Sequence, residues 1–172
     1  EILILSPSFA FVKKEFPNLK LVLVGKPGAG FKEVQLAIDQ SICKKDIILL
    51  GFVQPEELLQ ILKNAQVFVF PSLYEGFGIP VLEAMAMGVS VVVSRGNALE
   101  EIGKEAVEYI DSKSVKDISE KISIICADVK NIKKLTNQKF DVVIAYGLLH
   151  CFKDKKEITK FVGGKEKVTF KL

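Results

Sequence analysis

Two glutamates on either side of a glycine-rich turn are the residues of this chain best placed to do chemistry. Glu75 and Glu83 lie in the run Pro71–Gly88, which reads PSLYEGFGIPVLEAMAMG and follows an apolar strand predicted at Val67–Phe70. Pro80 suits the first turn of a helix, because a proline there lacks only an amide donor that would be unpaired anyway. Free amides and the positive end of the helix dipole would form an anion site with two carboxylates at its rim. Such a site suits a ligand that carries both phosphate and hydroxyl groups, such as a nucleotide sugar.

Predicted strands and helices, which must position this turn, alternate along the chain. Runs rich in Val, Ile and Leu predict the strands Ile2–Leu5, Leu19–Val24, Ile47–Phe52, Val67–Phe70, Ser90–Val93 and Ala106–Ile110. Apolar residues at helical spacing predict the helices Pro7–Glu15, Phe31–Cys43, Pro55–Lys63, Ile79–Met87, Ala98–Gly103 and Val115–Ile125. This alternation is typical of parallel βαβ units, whose ligands bind beyond the carboxyl ends of the strands. The loops at Gly25, Phe52, Pro71 and Ser94 should therefore line one cleft.

The run that contains the two glutamates resembles the E-x7-E motif of retaining GT-B glycosyltransferases, the large group 1 (family 4) set. Four further segments follow that family's order, namely Lys20–Gly25, Ile47–Val53, Pro55–Leu59 and Ala98–Gly103. The resemblance implies an α/β fold, a Rossmann-like doubly wound parallel sheet that forms one half of a GT-B fold, with a short α/β tail. It implies transfer of a sugar, with retention, from a nucleoside diphosphate donor to an unknown acceptor.

The resemblance also implies roles for individual residues. Glu75 would lie beside the transferred sugar as the catalytic residue, and Glu83 would accept hydrogen bonds from the ribose of the donor nucleotide. The other donor-binding residues that it implies are Gly76, Phe77, Gly78, Ile79, Gly25, Lys26, Phe52 and Val53.

Plainer interpretations stay open for several of these residues. Glu83 could complement the helix dipole in the first turn of its helix. Gly76 and Gly78 could mark a tight turn that needs positive φ. Lys26 could be a solvated loop lysine, and Phe52 could belong to the core.

The chain changes character near Cys126. The segments Ala127–Val129 and Phe140–His150, the latter reading FDVVIAYGLLH, resemble the middle of a class I S-adenosylmethionine-dependent methyltransferase. The glycine-rich cofactor loop of that family has no counterpart upstream. We therefore predict a donor-binding domain over residues 1–125 and a methyltransferase-like fragment or tail over residues 126–172.

The tail is expected to contain a strand at Val142–Tyr146, a helix at Lys155–Phe161 and a strand at Lys167–Lys171. The first of these strands is apolar and should pack against the main domain. It could add to the edge of the sheet or form a small layer with Val168–Phe170.

Composition narrows the function classes. The 172 residues carry a net charge of only +3, which implies no nucleic acid partner. Cys43, Cys126 and Cys151 lack metal-type spacing and indicate reduced thiols in a cytoplasmic protein. His150 is the single histidine, which argues against a Ser–His–Asp triad or a histidine metal site. The resemblance to group 1 glycosyltransferases implies sugar transfer without a metal or another cofactor. No apolar run reaches the ~20 residues of a transmembrane helix.

Several features depart from the family pattern. The segment Glu1–Ser8 lacks the Arg and Lys that clamp the donor diphosphate in the family, and Arg95 is the only arginine. The chain starts without Met and is expected to be a fragment, inactive unless a separate domain or chain binds the acceptor. The alternatives are a methyltransferase relic and a non-catalytic nucleotide-binding or interaction module.

Overall fold

A wholly parallel six-stranded sheet organises the described part of the chain, and the last of its strands in sequence order lies at its centre. The computed structural model describes residues 2–28, 30–96, 98–136 and 142–146. The strands are β1 Lys20–Val24, β2 Ile47–Gly51, β3 Val67–Phe70, β4 Ser90–Ser94, β5 Glu108–Ile110 and β6 Val142–Tyr146. Their order is β2-β1-β6-β3-β4-β5.

The described residues contain six α-helices, of which the first precedes the first strand and the other five connect successive strands. They are α1 Ile2–Glu15, α2 Phe31–Asp39, α3 Pro55–Lys63, α4 Ile79–Ala86, α5 Ala98–Gly103 and α6 Val115–Thr136. A short 3₁₀ helix, Lys44–Asp46, precedes β2. Parallel strands joined by crossover helices give the predicted α/β, doubly wound architecture.

The sheet has a hydrophobic core on each face, because its strands are apolar on both sides. One core contains residues of α1, α2 and α6, among them Phe9 and Ile118. The other contains residues of α3, α4 and α5, among them Leu62 and Leu99. Alternate residues of β1 and β3 enter each core, as expected for strands buried on both faces.

The predicted strand at Ile2–Leu5 is wrong, because those residues form the start of α1. Leu5, Phe9 and Val12 are all buried at helical spacing, so core packing extends the helix to both sides of Pro7. Ser8 Oγ donates a hydrogen bond to the Ile4 carbonyl at 2.7 Å. The proline that was expected to open this helix lies inside it.

Most other elements agree with prediction to within a residue or two. The predictions for β3, α3 and α5 are confirmed as stated. The predicted helix at Phe31–Cys43 ends at Asp39, and the predicted strand at Ala106–Ile110 shortens to three residues. Leu58, Ile61 and Leu62 of α3 are buried, as its apolar stripe predicts.

The tail departs most from expectation. The helix predicted to end at Ile125 continues to Thr136, so α6 crosses the predicted domain boundary. The strand Val142–Tyr146 is confirmed and pairs with the main domain, but it lies between β1 and β3 and not at the sheet edge. The tail helix Lys155–Phe161, the strand Lys167–Lys171 and Cys151 lie outside the described residues. Cys43 and Cys126 are both buried, and burial raises the pKa of the Cys43 thiol.

A charged cluster fastens α1 to the beginnings of β1 and β2. Lys13 Nζ lies 2.8 Å from Asp46 Oδ2, and Lys20 pairs with the other carboxylate oxygen of the same residue. Lys13 also donates to the Leu19 carbonyl at 3.2 Å. The hydrogen bond from Lys13, followed by that from Lys20, holds the pKa of Asp46 below its usual value.

Candidate functional site

The candidate site lies at one edge of the sheet, where the carboxyl ends of the strands meet. All strand pairs are parallel, so the chain leaves every strand at this same edge. The positions predicted to line one cleft, Gly25, Phe52, Pro71 and Ser94, are the ends of β1 to β4 or directly follow them. Doubly wound sheets bind their ligands at this edge.

The loops after β1 and β2 are joined to each other. The Gly25 amide donates to the Gly51 carbonyl at 2.9 Å, and Gly25 has a φ of 142°. Lys26 Nζ lies 4.9 Å from the centroid of the Phe52 ring, a cation–π contact. Phe52 is 49% exposed, so its interpretation as a core residue is wrong. Val53, by contrast, is buried in the core beside α3.

A buried glycine, Gly78, sets the shape of the turn before α4. Gly78 caps the helix with a left-handed backbone, φ 84°, and its carbonyl accepts from the Val81 amide at 2.9 Å. A Cβ on Gly78 would lie 2.4 Å from Leu99 Cδ2, so any larger residue would strain the turn. The prediction of positive φ is therefore confirmed at Gly78. It is wrong at Gly76, which is exposed, has no such φ and would have no atom within 4 Å of an added Cβ.

The two glutamates of the motif are both half-buried. Glu75 lies in the turn itself, and Glu83 lies on α4. Because α4 begins at Ile79, Glu83 is past its first turn, which holds no acidic residue. The placement of Glu83 in that turn was wrong, and dipole complementarity, which fades beyond the first turn, explains it poorly.

Exposed apolar side chains accumulate around the same turn. Ser72 Oγ donates to the Tyr74 carbonyl at 3.1 Å and so shapes the loop that follows β3. Beyond it, Leu73, Tyr74, Phe77 and Ile79 each expose half or more of their surface. A cluster of this kind, beside a polar turn, is typical of a surface that contacts a ligand or another domain.

The end of β4 holds a buried hydroxyl on Ser94, a residue predicted to line the cleft but given no role of its own from the sequence. Ser94 Oγ is the one buried side-chain oxygen without a hydrogen-bond partner in the described ranges. Such atoms are rare and call for an explanation. In the sequence, the feature that could have indicated a role for Ser94 is a small polar residue at the carboxyl end of an apolar strand.

The loop after Ser94 is fixed by a second set of contacts. Glu100 Oε1 accepts from the Gly96 amide at 2.9 Å, and Arg95 stacks 5.7 Å over the Tyr109 ring. Burial, reinforced by the Glu100 carboxylate, raises the pKa of Tyr109. The only arginine of the chain is therefore turned toward β5.

No group of three or more His, Cys, Asp or Glu residues able to hold a metal ion occurs within 2–28, 30–96, 98–136 and 142–146. In the same part of the chain, none of the helices has both the length and the apolar character that crossing a bilayer requires.

The doubly wound parallel sheet, with a glycine-shaped turn at its carboxyl edge, is a Rossmann-like domain and is consistent with one half of a GT-B fold. The comparison with protein families agrees with this class. Residues 4–144 match the family described as "Glycosyl transferases group 1", and the chain belongs to that family. The match extends past residue 126 through α6 into β6, and the methyltransferase-like assignment of residues 126–172 stays a prediction.

Similar curated proteins are glycosyltransferases too. The chain is 35% identical over 132 residues to an uncharacterized glycosyltransferase of Methanocaldococcus jannaschii, covering 72% of this chain and 34% of that protein. It is 46% identical over 70 residues to the O-antigen chain mannosyltransferase B of Escherichia coli, covering 41% and 18%. It is 40% identical over 76 residues to the N,N'-diacetylbacillosaminyl-diphospho-undecaprenol alpha-1,3-N-acetylgalactosaminyltransferase of Campylobacter jejuni, covering 43% and 20%. The matched segments thus span about a third or less of these relatives.

Proposed function

We propose that this chain is the donor-nucleotide-binding part of a retaining glycosyltransferase, and that it binds nucleoside diphosphate sugars at the carboxyl edge of its sheet. The observation that carries the proposal is the turn Glu75–Ile79. It opens α4 through a left-handed glycine and stands at the same edge as the contact between Lys26 and Phe52. Free amides at a helix start, a cation and half-buried carboxylates together fit phosphate and hydroxyl groups.

Each group has a distinct part in the proposed site. The amides of Gly76, Phe77, Gly78 and Ile79 would donate to phosphate and sugar oxygens. Glu83 would accept from the ribose hydroxyls, and Glu75 would orient the transferred sugar. Gly25, Phe52 and the backbone of Val53 would contact the nucleoside through the loops after β1 and β2, with Lys26 as the nearby charge for the diphosphate.

Transfer would proceed without a metal ion or another cofactor. Charge on the leaving diphosphate would be stabilised by the amides, the start of α4 and Lys26. The bond from the sugar to the diphosphate breaks as the acceptor oxygen attacks, and the acceptor proton leaves with the diphosphate.

The proposed site has few positively charged side chains, which should lower its affinity for nucleoside diphosphates. Lys26 is the one lysine among the proposed site residues, and Arg95 stacks on Tyr109. A charge-assisted hydrogen bond contributes about 1.5–3 kcal/mol. Without the bonds that the Arg and Lys of the family pattern make to the diphosphate, binding should be roughly 10²–10⁴-fold weaker than in a family member that has both residues. We therefore expect weak, roughly millimolar, binding of nucleoside diphosphates and no turnover by this chain alone.

The exposed apolar cluster at Leu73, Tyr74, Phe77 and Ile79 fits an acceptor-binding domain or chain that would close over the site. Turnover would then require that partner. The non-catalytic binding module is the second candidate, and the small number of positively charged side chains is the observation that favours it. The glycosyltransferase and the non-catalytic module differ in one testable respect, which is whether an acceptor-binding partner restores sugar transfer.

Chemical-shift titration with nucleoside diphosphates of different bases, and with the matching nucleosides, tests the proposal. Glu83→Ala should weaken nucleoside and nucleoside diphosphate alike, because both carry the ribose. Lys26→Ala should weaken only the diphosphate.

Matched controls come from the opposite edge. Lys63 ends α3 and Glu105 precedes β5, so both lie near the amino ends of the strands. Lys63→Ala and Glu105→Ala should leave both affinities unchanged. Equal affinity of wild type and Glu83→Ala for every nucleotide, or sub-micromolar binding by the wild type, would contradict the proposed site.

A further inference from the structure

The centre of the sheet is filled by a strand that is remote in sequence from both of its neighbours. β6 pairs with β1 from Lys20↔Val142 to Val24↔Tyr146. On its other side it pairs with β3 from Val67↔Val143 to Val69↔Ala145. β1 and β3 do not pair with each other, so β6 is the one strand that joins β2-β1 to β3-β4-β5.

Every other strand pair of the described sheet is between neighbours in the sequence. β1 pairs with β2, β3 with β4, and β4 with β5, each through a single crossover. Local pairs have a low entropic cost of closure, whereas pairing of distant segments costs more and is slow. The two sub-sheets should therefore form first, and insertion of β6 should come last.

Before insertion, the folding chain would expose two facing strand edges, on β1 and β3. Both edges are apolar, and each strand contributes residues to both hydrophobic cores. The incoming segment reads VVIAY, with no charge to prevent pairing with another chain. Unpaired edges of this kind readily capture a strand from a second molecule.

We propose that the position between β1 and β3 is an exchangeable strand site, and that it accepts β6 of a second copy of this chain to form a strand-swapped dimer. The exchanged element is the last one in the described fold, and residues 137–141 are all that links it to α6. α6 stays packed on α1 of its own chain. Exchange of an element between identical chains is favoured where the connection that precedes it is short.

The same pairing serves the monomer and the dimer. In each case β6 runs parallel to β1 and β3 in the register given above, so the dimer loses no strand pairing. In the dimer the sheet of one chain, and hence the edge that bears the candidate site, is completed by its partner. Interconversion would require extraction of a central strand, so both forms should persist after separation.

Refolding at two concentrations tests the proposal. The full chain is unfolded in denaturant and refolded at micromolar and at submillimolar concentration, and the products are measured by size exclusion with light scattering. We expect a dimer fraction that grows with concentration and does not redistribute on dilution. Only monomer at both concentrations would overturn the proposal.

Isotope labelling identifies the exchanged element. The dimer is prepared from an equal mixture of labelled and unlabelled chain, and contacts between the two are selected by isotope-filtered NMR. Contacts across the register pair Val22↔Ile144 between labelled and unlabelled chains are expected. A dimer that shows this contact only within one chain would refute strand exchange.

Two variants give an independent readout. Deletion of Asn137 and Gln138 shortens the connection and should raise the dimer fraction several-fold. Ile144→Pro removes the central amide of β6 and should abolish the dimer. The same dimer yield in Ile144→Pro as in the wild type would overturn the proposal, and if the deletion variant does not fold, the labelling result decides.

Discussion

Substitution of Gly78 by alanine tests whether this residue sets the shape of the turn that carries the candidate site. Two costs add at this position. A left-handed backbone is unfavourable for a residue with a Cβ by about 1–2 kcal/mol. The new Cβ would also lie 2.4 Å from Leu99 Cδ2, in a side chain that is fully buried. Overpacking of a core typically costs about 1–3 kcal/mol, so Gly78→Ala should destabilise the fold by about 2–5 kcal/mol.

Two other glycines of the same run separate these costs. Gly88 has a φ of 72° and no atom within 4 Å of an added Cβ, so Gly88→Ala should show the backbone cost alone, about 1–2 kcal/mol. Gly76 has neither a positive φ nor a neighbour within 4 Å. Gly76→Ala should therefore be neutral or stabilise by up to about 1 kcal/mol, because alanine restricts the unfolded chain.

The assay is urea unfolding of the four proteins, with the free energy of unfolding and its urea dependence fitted together. The predicted order of stability is Gly76→Ala, then Gly88→Ala, then Gly78→Ala. In the absence of urea, where each variant is folded, Gly78→Ala should also lose the amide chemical-shift changes that nucleotide binding causes in α4. A Gly78→Ala variant as stable as Gly88→Ala would refute the contact with Leu99 as the second cost.

Two further predictions concern the rest of the fold. Asp46→Asn should destabilise the chain by about 1–2 kcal/mol at pH 7, by loss of the pairs with Lys13 and Lys20. Because the pKa of Asp46 is lowered on folding, its contribution is complete above the unfolded value of about 3.9 and is lost as the pH falls through the folded value. Urea unfolding from pH 6 to about pH 2 should show the gap to wild type closing with acidity; a constant gap contradicts the ion pairs. Ser94→Ala should be neutral or stabilising, since its hydroxyl has no partner, whereas Ser8→Ala loses the hydrogen bond to Ile4 and should cost about 0.5–1.5 kcal/mol in the same assay. Equal losses in both serine variants would show that Ser94 is hydrogen-bonded.

Local pattern predicted those elements whose sequence and tertiary packing agree. The continuous apolar run of β3 indicates a buried strand and the apolar stripe of α3 indicates a helix with one buried face, and both elements appear as predicted. The start of α1 was missed because Pro7 suggests a helix beginning, while burial of Leu5 extends the helix past it.

The central position of β6 could not be predicted in the same way. An apolar strand suits any buried place in a parallel sheet, and strand order depends on pairings between distant residues. The candidate site was predictable as a set of loops at one sheet edge. The half exposure of Phe52 and the buried hydroxyl of Ser94 were not, because each depends on how neighbouring loops pack.

The central claim is that this chain binds a nucleoside diphosphate at the carboxyl edge of its sheet. Amide chemical-shift titration of the full chain with a nucleoside diphosphate measures this most directly. The account predicts shifts at Gly25, Lys26 and Phe52 and at the turn Glu75–Ile79, saturating at roughly millimolar ligand. Shifts confined to the opposite edge, near Lys63 and Glu105, or no shifts at several times that concentration, would contradict it.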